Sequence, residues 1–127
     1  MIVAGIGCRR NATAEAIEAS IEAALAACQL DLSKLGALAT AEEKGGEPGL
    51  WEAANRLSLE VVLVEETEMA LAAHGALTLS ERVLTLKGVP SVAETAALAA
   101  AGRGSRLLTR RVSNKQASCA IAIGEGE

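Results

Sequence analysis

Three stretches of this 127-residue chain gather side chains that could do chemistry. The first, Gly5-Ile-Gly-Cys-Arg-Arg-Asn-Ala-Thr13, sets Gly5 and Gly7 at a tight turn followed by Cys8, Arg9 and Arg10. The second runs from Thr40 to Leu50 and holds Glu42, Lys44 and Glu47; the third runs from Gly88 to Glu94 and holds Ser91. Each opens a helix, and the unpaired N–H groups of a helix start favour anions. Gly5-x-Gly7 also describes a plain turn, since the third glycine of a dinucleotide fingerprint is missing. Arg9 and Arg10 are either forked donors for an anion or solvated surface charge. The candidate ligand contacts are therefore Gly5, Gly7, Cys8, Arg9, Arg10, Thr40, Glu42 and Ser91.

Lys44, Glu47 and Glu94 are the candidate catalytic residues, as acid–base groups. Each has a simpler reading. Lys44 and Glu47 can pair with each other in their glycine-rich loop, and Glu94 can complete a capping box with Ser91. Cys8, between a glycine turn and two arginines, has surroundings that lower a thiol pKa, and it reads equally as a packing or turn residue. The one histidine, His74, falls at the end of a different helix, so no nucleophile–base pair is evident. No spacing suits a metal, and neither a metal nor a cofactor is expected. Cys28 and Cys119 read as small core hydrophobes. Trp51 is the one surface able to stack on a conjugated ring, and its helical position suits core packing equally.

The elements that must position these residues alternate along the chain. Ile2 to Ile6 reads as a buried strand entering the glycine turn. Ile17, Ile21, Leu25 and Cys28 then repeat at helical spacing behind Thr13, a plausible N-cap with Asn11 as competitor. Leu35 to Thr40 is a second strand, and a helix opens near Pro48 with Leu50, Ala53, Ala54 and Leu57 on its buried face. Leu59 to Val64 is the clearest strand, followed by a helix from Thr67 to His74 closed by Gly75. Arg82 to Leu86 is a weak strand. The last helix runs through Ala96 to Ala101 and stops at Gly102, before strands Leu107 to Val112 and Ser118 to Ile123 with a polar turn at Ser113-Asn-Lys-Gln116. This order predicts one domain over 1–127, an α/β fold in which a mixed sheet carries helices on both faces as a three-layer α/β/α sandwich.

Composition narrows the partners. With no Phe, no Tyr and one Trp, the core must be built from Ala, Val, Leu and Ile. The net charge is −4; residues 1–64 hold five basic and nine acidic side chains, and residues 65–127 seven of each. Without a basic, aromatic-studded surface, nucleic acid is not an expected partner. No apolar run reaches the roughly 20 residues that span a bilayer, and the N-terminus has no basic leader, so no membrane or export is expected. Three cysteines without paired spacing fit a reducing compartment, the cytoplasm.

The three loops also carry a likeness. Gly5-Ile-Gly-Cys-Arg-Arg, then Ala39-Thr40 leading to Lys44-x-x-Glu47-Pro-Gly-Leu50, then Val89-Pro-Ser-Val-Ala-Glu94-x-Ala-Ala-Leu98 resemble the signature segments of the CobE/CbiG C-terminal family of cobalamin biosynthesis, in order, from residue 2 to about 123. The family usually carries Asp where Glu42 stands, and commonly Lys near Arg111 and Thr at Ser118. The resemblance implies a three-layer α/β domain acting in corrin-ring construction, and a start at the first strand resembles the stand-alone CobE-like members of the aerobic route. It implies a corrin-ring, precorrin-type intermediate as ligand and other cobalamin-pathway enzymes as partners. Three readings stay open: binding or chaperoning that carboxylate-rich ring, acting on it as an enzyme, lactone hydrolase-like or ring-modifying, or serving purely as a structural partner of another pathway enzyme.

Overall fold

The computed structural model describes residues 1–73 and 91–126. Nine elements follow in order: β1 (Ile2–Cys8), α1 (Ala14–Ala27), β2 (Ala37–Ala41), α2 (Pro48–Leu57), β3 (Glu60–Val64), α3 (Glu66–Ala72), α4 (Val92–Ala101), β4 (Arg106–Ser113) and β5 (Ala117–Ile123). The strands form one sheet in the order β3-β2-β1-β5-β4. β1, β2 and β3 run parallel, while β5 runs antiparallel to both β1 and β4. The mixed sheet expected from the element order is therefore present. The C-terminal part of the expected third helix at His74 and Gly75, the weak strand Arg82 to Leu86, and Gly88 to Pro90 of the third loop lie outside the described residues.

The caps explain where the helices begin and end. Thr13 Oγ1 accepts the Ala16 N–H at 3.0 Å, satisfying a donor that the first turn of α1 leaves open. Asn11, its competitor, instead takes a left-handed turn at φ 62°. Ser91 Oγ accepts the Glu94 N–H at 3.3 Å at the start of α4, and Gly102 ends that helix at φ 88°. The second strand starts two residues later than its apolar run suggests, because Leu35 closes a short 3-10 turn, Leu32–Lys34, first.

Each face of the sheet has its own apolar layer. On one side α1 and α2 pack around Ala4, Ile6, Leu38, Leu50 and Ile121, with Ile17 and Ile21 of α1 fully enclosed. Arg56 of α2 reaches Glu15 and Glu18 of α1 across the outside of this layer, at 2.9 and 3.3 Å. On the other side α3 and α4 cover Val3, Ala39, Val64 and Ala122. Alternation along β1 assigns its residues to the two layers: Ala4 and Ile6 to the first, Val3 to the second.

Gly5 and Gly7 share the α4 side of β1, and this is where the packing is tightest. A Cβ on Gly5 would lie 1.9 Å from the Ala93 carbonyl oxygen and 2.7 Å from Ala97 N. A Cβ on Gly7 would lie 2.9 Å from Ser118 Oγ. At Gly5 the backbone of α4 thus rests almost directly on the backbone of β1, and Ala93 and Ala97, the residues it meets there, are both buried. Gly5→Ala should destabilise the fold by about 3 kcal/mol in urea denaturation, since neither clashing partner is a flexible side chain. Gly46→Ala, which meets nothing within 4 Å, is the control and should stay within about 0.5 kcal/mol of the parent. Equal stability of the two variants would contradict this description of the seam.

Candidate functional site

A cleft of about 510 Å³ opens at the C-terminal end of β1. Gly7, Cys8 and Arg9 form one part of its wall, Lys44 another, and Val92 and Ala93 from the first turn of α4 a third. The remaining wall is the β4–β5 hairpin, from Arg111 through Ser113-Asn-Lys-Gln-Ala-Ser118. The antiparallel register sets Cys8 opposite Ala117 and Gly7 opposite Ser118, which brings the hairpin tip to the same sheet edge as the β1 loop.

Hydrogen bonds lock these segments together. Arg9 N–H donates to the Gln116 carbonyl at 2.8 Å, and Thr13 N–H donates to Gln116 Oε1 at 3.0 Å. Asn114 Oδ1 accepts from both Gln116 N and Ala117 N at 2.9 Å, shaping the tip as an Asx turn, while its Nδ2 donates to the Ala16 carbonyl. The second loop is tied to the first by Asn11 N–H donating to Glu47 Oε1 at 2.7 Å. Close contact reinforces that tie, because a Cβ on Gly49 would lie 2.1 Å from the Ala12 carbonyl oxygen.

The candidate residues divide clearly. Gly7, Cys8, Arg9 and Lys44 stand on the cleft wall. Arg10 and Glu42 are exposed and not part of it. Gly5 lies beneath α4, and Thr40 is fully buried with its hydroxyl donating to the Ile6 carbonyl at 2.7 Å. Ser91 is buried as the α4 cap. Glu94 is also fully buried; its Oε2 accepts the backbone N–H of Arg111 at 2.9 Å. Glu47 serves the Asn11 tie, and no Lys44–Glu47 ion pair forms among the described residues.

Two expectations need correction. The Cys8 thiol pKa is raised, chiefly by burial, with Glu47 adding to the shift and Lys44 opposing it. The exposed arginines beside it in sequence do not supply the stabilising charge expected of them. Trp51 is not a core residue: it is 44% exposed, off the cleft wall, and its Nε1 donates to the Gly45 carbonyl at 2.6 Å.

The hairpin wall was not among the candidate site residues. A polar turn flanked by strands was visible, but only the β1–β5 register brings it to the functional edge. Its cations change the character of the cleft. Among the described residues Arg9, Lys44, Arg111 and Lys115 line it, and no Asp or Glu does. The ion pairs present among the described residues all belong to Arg56, on the far layer. Four cations, the positive end of α4, and Ser113 and Ser118 give this cleft wall a positive, donor-rich character, the kind of chemistry that suits anions. Among the described residues no cluster of His, Cys, Asp or Glu could hold a metal ion, and no helix is long and apolar enough to cross a membrane.

Known proteins are similar to this chain in sequence and in fold. The family model for the cobalamin synthesis G C-terminus covers residues 2–122. The chain is 30% identical over 121 residues to Protein CobE of Sinorhizobium sp, spanning 95% of this chain and 79% of that protein. It is 32% identical over 113 residues to the cobalt-precorrin-5A hydrolase of Priestia megaterium, 89% of this chain but 30% of the hydrolase. Among solved structures, CobE, a protein from the cobalamin biosynthetic pathway, superposes with a TM-score of 0.89 at 37% identity, over 96% of this chain and 89% of that one. The cobalamin biosynthesis protein ChiG of Agrobacterium tumefaciens gives 0.78 at 42%, over 98% and 99%. The chain belongs to the cobalamin synthesis G C-terminus family of cobalamin biosynthesis.

Proposed function

We infer that the cleft binds a corrin-ring intermediate by its peripheral carboxylates and holds it for another enzyme of the pathway. The observation that carries this reading is the concentration, among the described residues, of four cations without a carboxylate in one cleft of a chain whose net charge is −4. One exposed charge pair contributes only about 0.2–1 kcal/mol, so binding by this means requires several pairs made together. A ring fringed with carboxylates offers them in one rigid body, whereas a single carboxylate does not. The acidic surface elsewhere discourages polyanions from settling at other places. Val92, Ala93 and the aliphatic stems of Lys44 and Arg111 offer apolar contact, in place of an aromatic platform. Free thiols at Cys8, Cys28 and Cys119 are consistent with work in the cytoplasm.

Turnover is the second reading, favoured by the hydrolase relative. Of the three acid–base candidates Lys44 alone reaches the cleft, since Glu47 and Glu94 are engaged in backbone hydrogen bonds. The Cys8 thiol is disfavoured as a nucleophile by its raised pKa. A product detected by mass spectrometry after incubation with isolated ring intermediates would replace binding with catalysis.

Cobyrinic acid, a corrin with carboxylate side chains, should bind saturably in a spectrophotometric titration. Cobinamide, with amidated side chains, should bind about tenfold more weakly or worse. Arg9→Ala combined with Lys44→Ala should weaken cobyrinic acid binding about tenfold and flatten its dependence on salt. Equal affinity for the two corrins, or an unchanged double variant, would defeat the carboxylate reading. Alkylation at Cys8 should be slow near neutrality and keep accelerating past pH 9.0, because a raised pKa keeps the thiol protonated through its ordinary range. A rate that levels off below that pH would show an activated thiolate and favour catalysis.

A further inference from the structure

Glu94 is the one carboxylate fully enclosed in the described core, and burying such a group requires compensating hydrogen bonds. Its Oε2 accepts the Arg111 N–H at 2.9 Å. Arg111 sits where β4 slips against β5. Thr109 pairs with Ile121 and Val112 with Cys119, so three steps along β4 face two along β5. A bulge of this kind takes a backbone N–H out of the ladder and re-aims the neighbouring side chains. At Arg111 the N–H is caught by a carboxylate from the first turn of α4, and Arg111 is one of the residues that line the cleft.

The other ties on the hairpin, through Gln116 and Asn114, hold its tip to the start of α1. Glu94 is the link from the hairpin base to α4, whose first turn is the opposite part of the wall. We propose that Glu94 is a positioning residue: it fixes the bulge at Arg111 against α4, so that the guanidinium meets the ligand, and does not itself touch the ligand. The proposal rests on the carboxylate-binding reading of the cleft. It reassigns Glu94 from acid–base chemistry to geometry and makes two distinct predictions for its reach and its charge.

Two conservative variants separate these properties. Glu94→Gln keeps an acceptor oxygen at the same reach and removes the charge. Glu94→Asp keeps the charge and withdraws the acceptor by about 1.5 Å, one carbon–carbon bond. With cobyrinic acid as probe, E94Q should bind within about threefold of the parent, whereas E94D should lose about tenfold, as Arg111→Ala does. The double variant E94D/R111A should be no more than about threefold weaker than R111A, because both changes remove one interaction. E94D should also reduce the salt dependence of binding as R111A does, an effect that general loosening of the fold would not produce. Amide hydrogen exchange at Arg111 gives a readout free of the ligand: slow in the parent and E94Q, fast in E94D.

E94D binding like the parent, E94Q losing as much as R111A, or additive losses in the double variant would overturn the proposal while leaving the cleft reading intact. R111A binding cobyrinic acid as well as the parent would instead remove the cleft reading, and this inference with it.

Discussion

The seam between β1 and α4 determines the rest of the molecule. Glycine in a strand interior weakens the strand by roughly 0.5–1 kcal/mol, so Gly5 and Gly7 need a structural return. Gly5 obtains it through backbone contact: with no Cβ there, α4 settles onto the strand until Ala93 and Ala97 touch it, while the missing Cβ of Gly7 leaves room for the Ser118 hydroxyl. The alanines of α4 are needed for the same reason, since larger side chains would lift the helix off. A core without Phe or Tyr thus follows from close approach, with contact density replacing the area that aromatic side chains would bury.

That approach has a functional consequence at the end of the strand. It brings the first turn of α4 level with the turn that follows β1, so Val92 and Ala93 share a wall with Cys8 and Arg9. The β4–β5 hairpin comes to the same edge because β5 pairs antiparallel with β1 along its full length. Segments about a hundred residues apart in sequence therefore build one cleft, and short hydrogen bonds from Gln116, Asn114 and Glu47 keep them in place. The cleft wall is largely a set of loops, yet these are anchored to a helix start or to a neighbouring loop.

Much of this could be read from residue types. Thr13, Ser91 and Gly102 mark helix ends by chemistry that operates within a few residues, and all three do what their types suggest. Lys44 and Arg9 could be associated with an anion site, because each belongs to a loop that opens a helix. What escaped the sequence depends on distance in space. Arg111 and Lys115 join the cleft only through the pairing of β5 with β1 and a bulge in β4, neither of which leaves a local pattern. Cys8 misleads in the same way: adjacent arginines suggest an activated thiol, but they are solvent-exposed, and burial outweighs the nearby Lys44. Trp51 follows Leu50 on α2 and looks ready for the core, yet its ring stays at the surface and its N–H pins Gly45.

The claim that unites these observations is spatial: the α4 start, the β1 turn and the β4–β5 hairpin act as one receptor for a polycarboxylated ring. It is tested most directly by following backbone amide resonances while cobyrinic acid is titrated into the protein. The account predicts that Cys8, Arg9, Val92, Ala93, Arg111 and Ser118 shift together and saturate with a single dissociation constant. Shifts confined to one of these segments, or centred on the Arg56 side of the molecule, would contradict it.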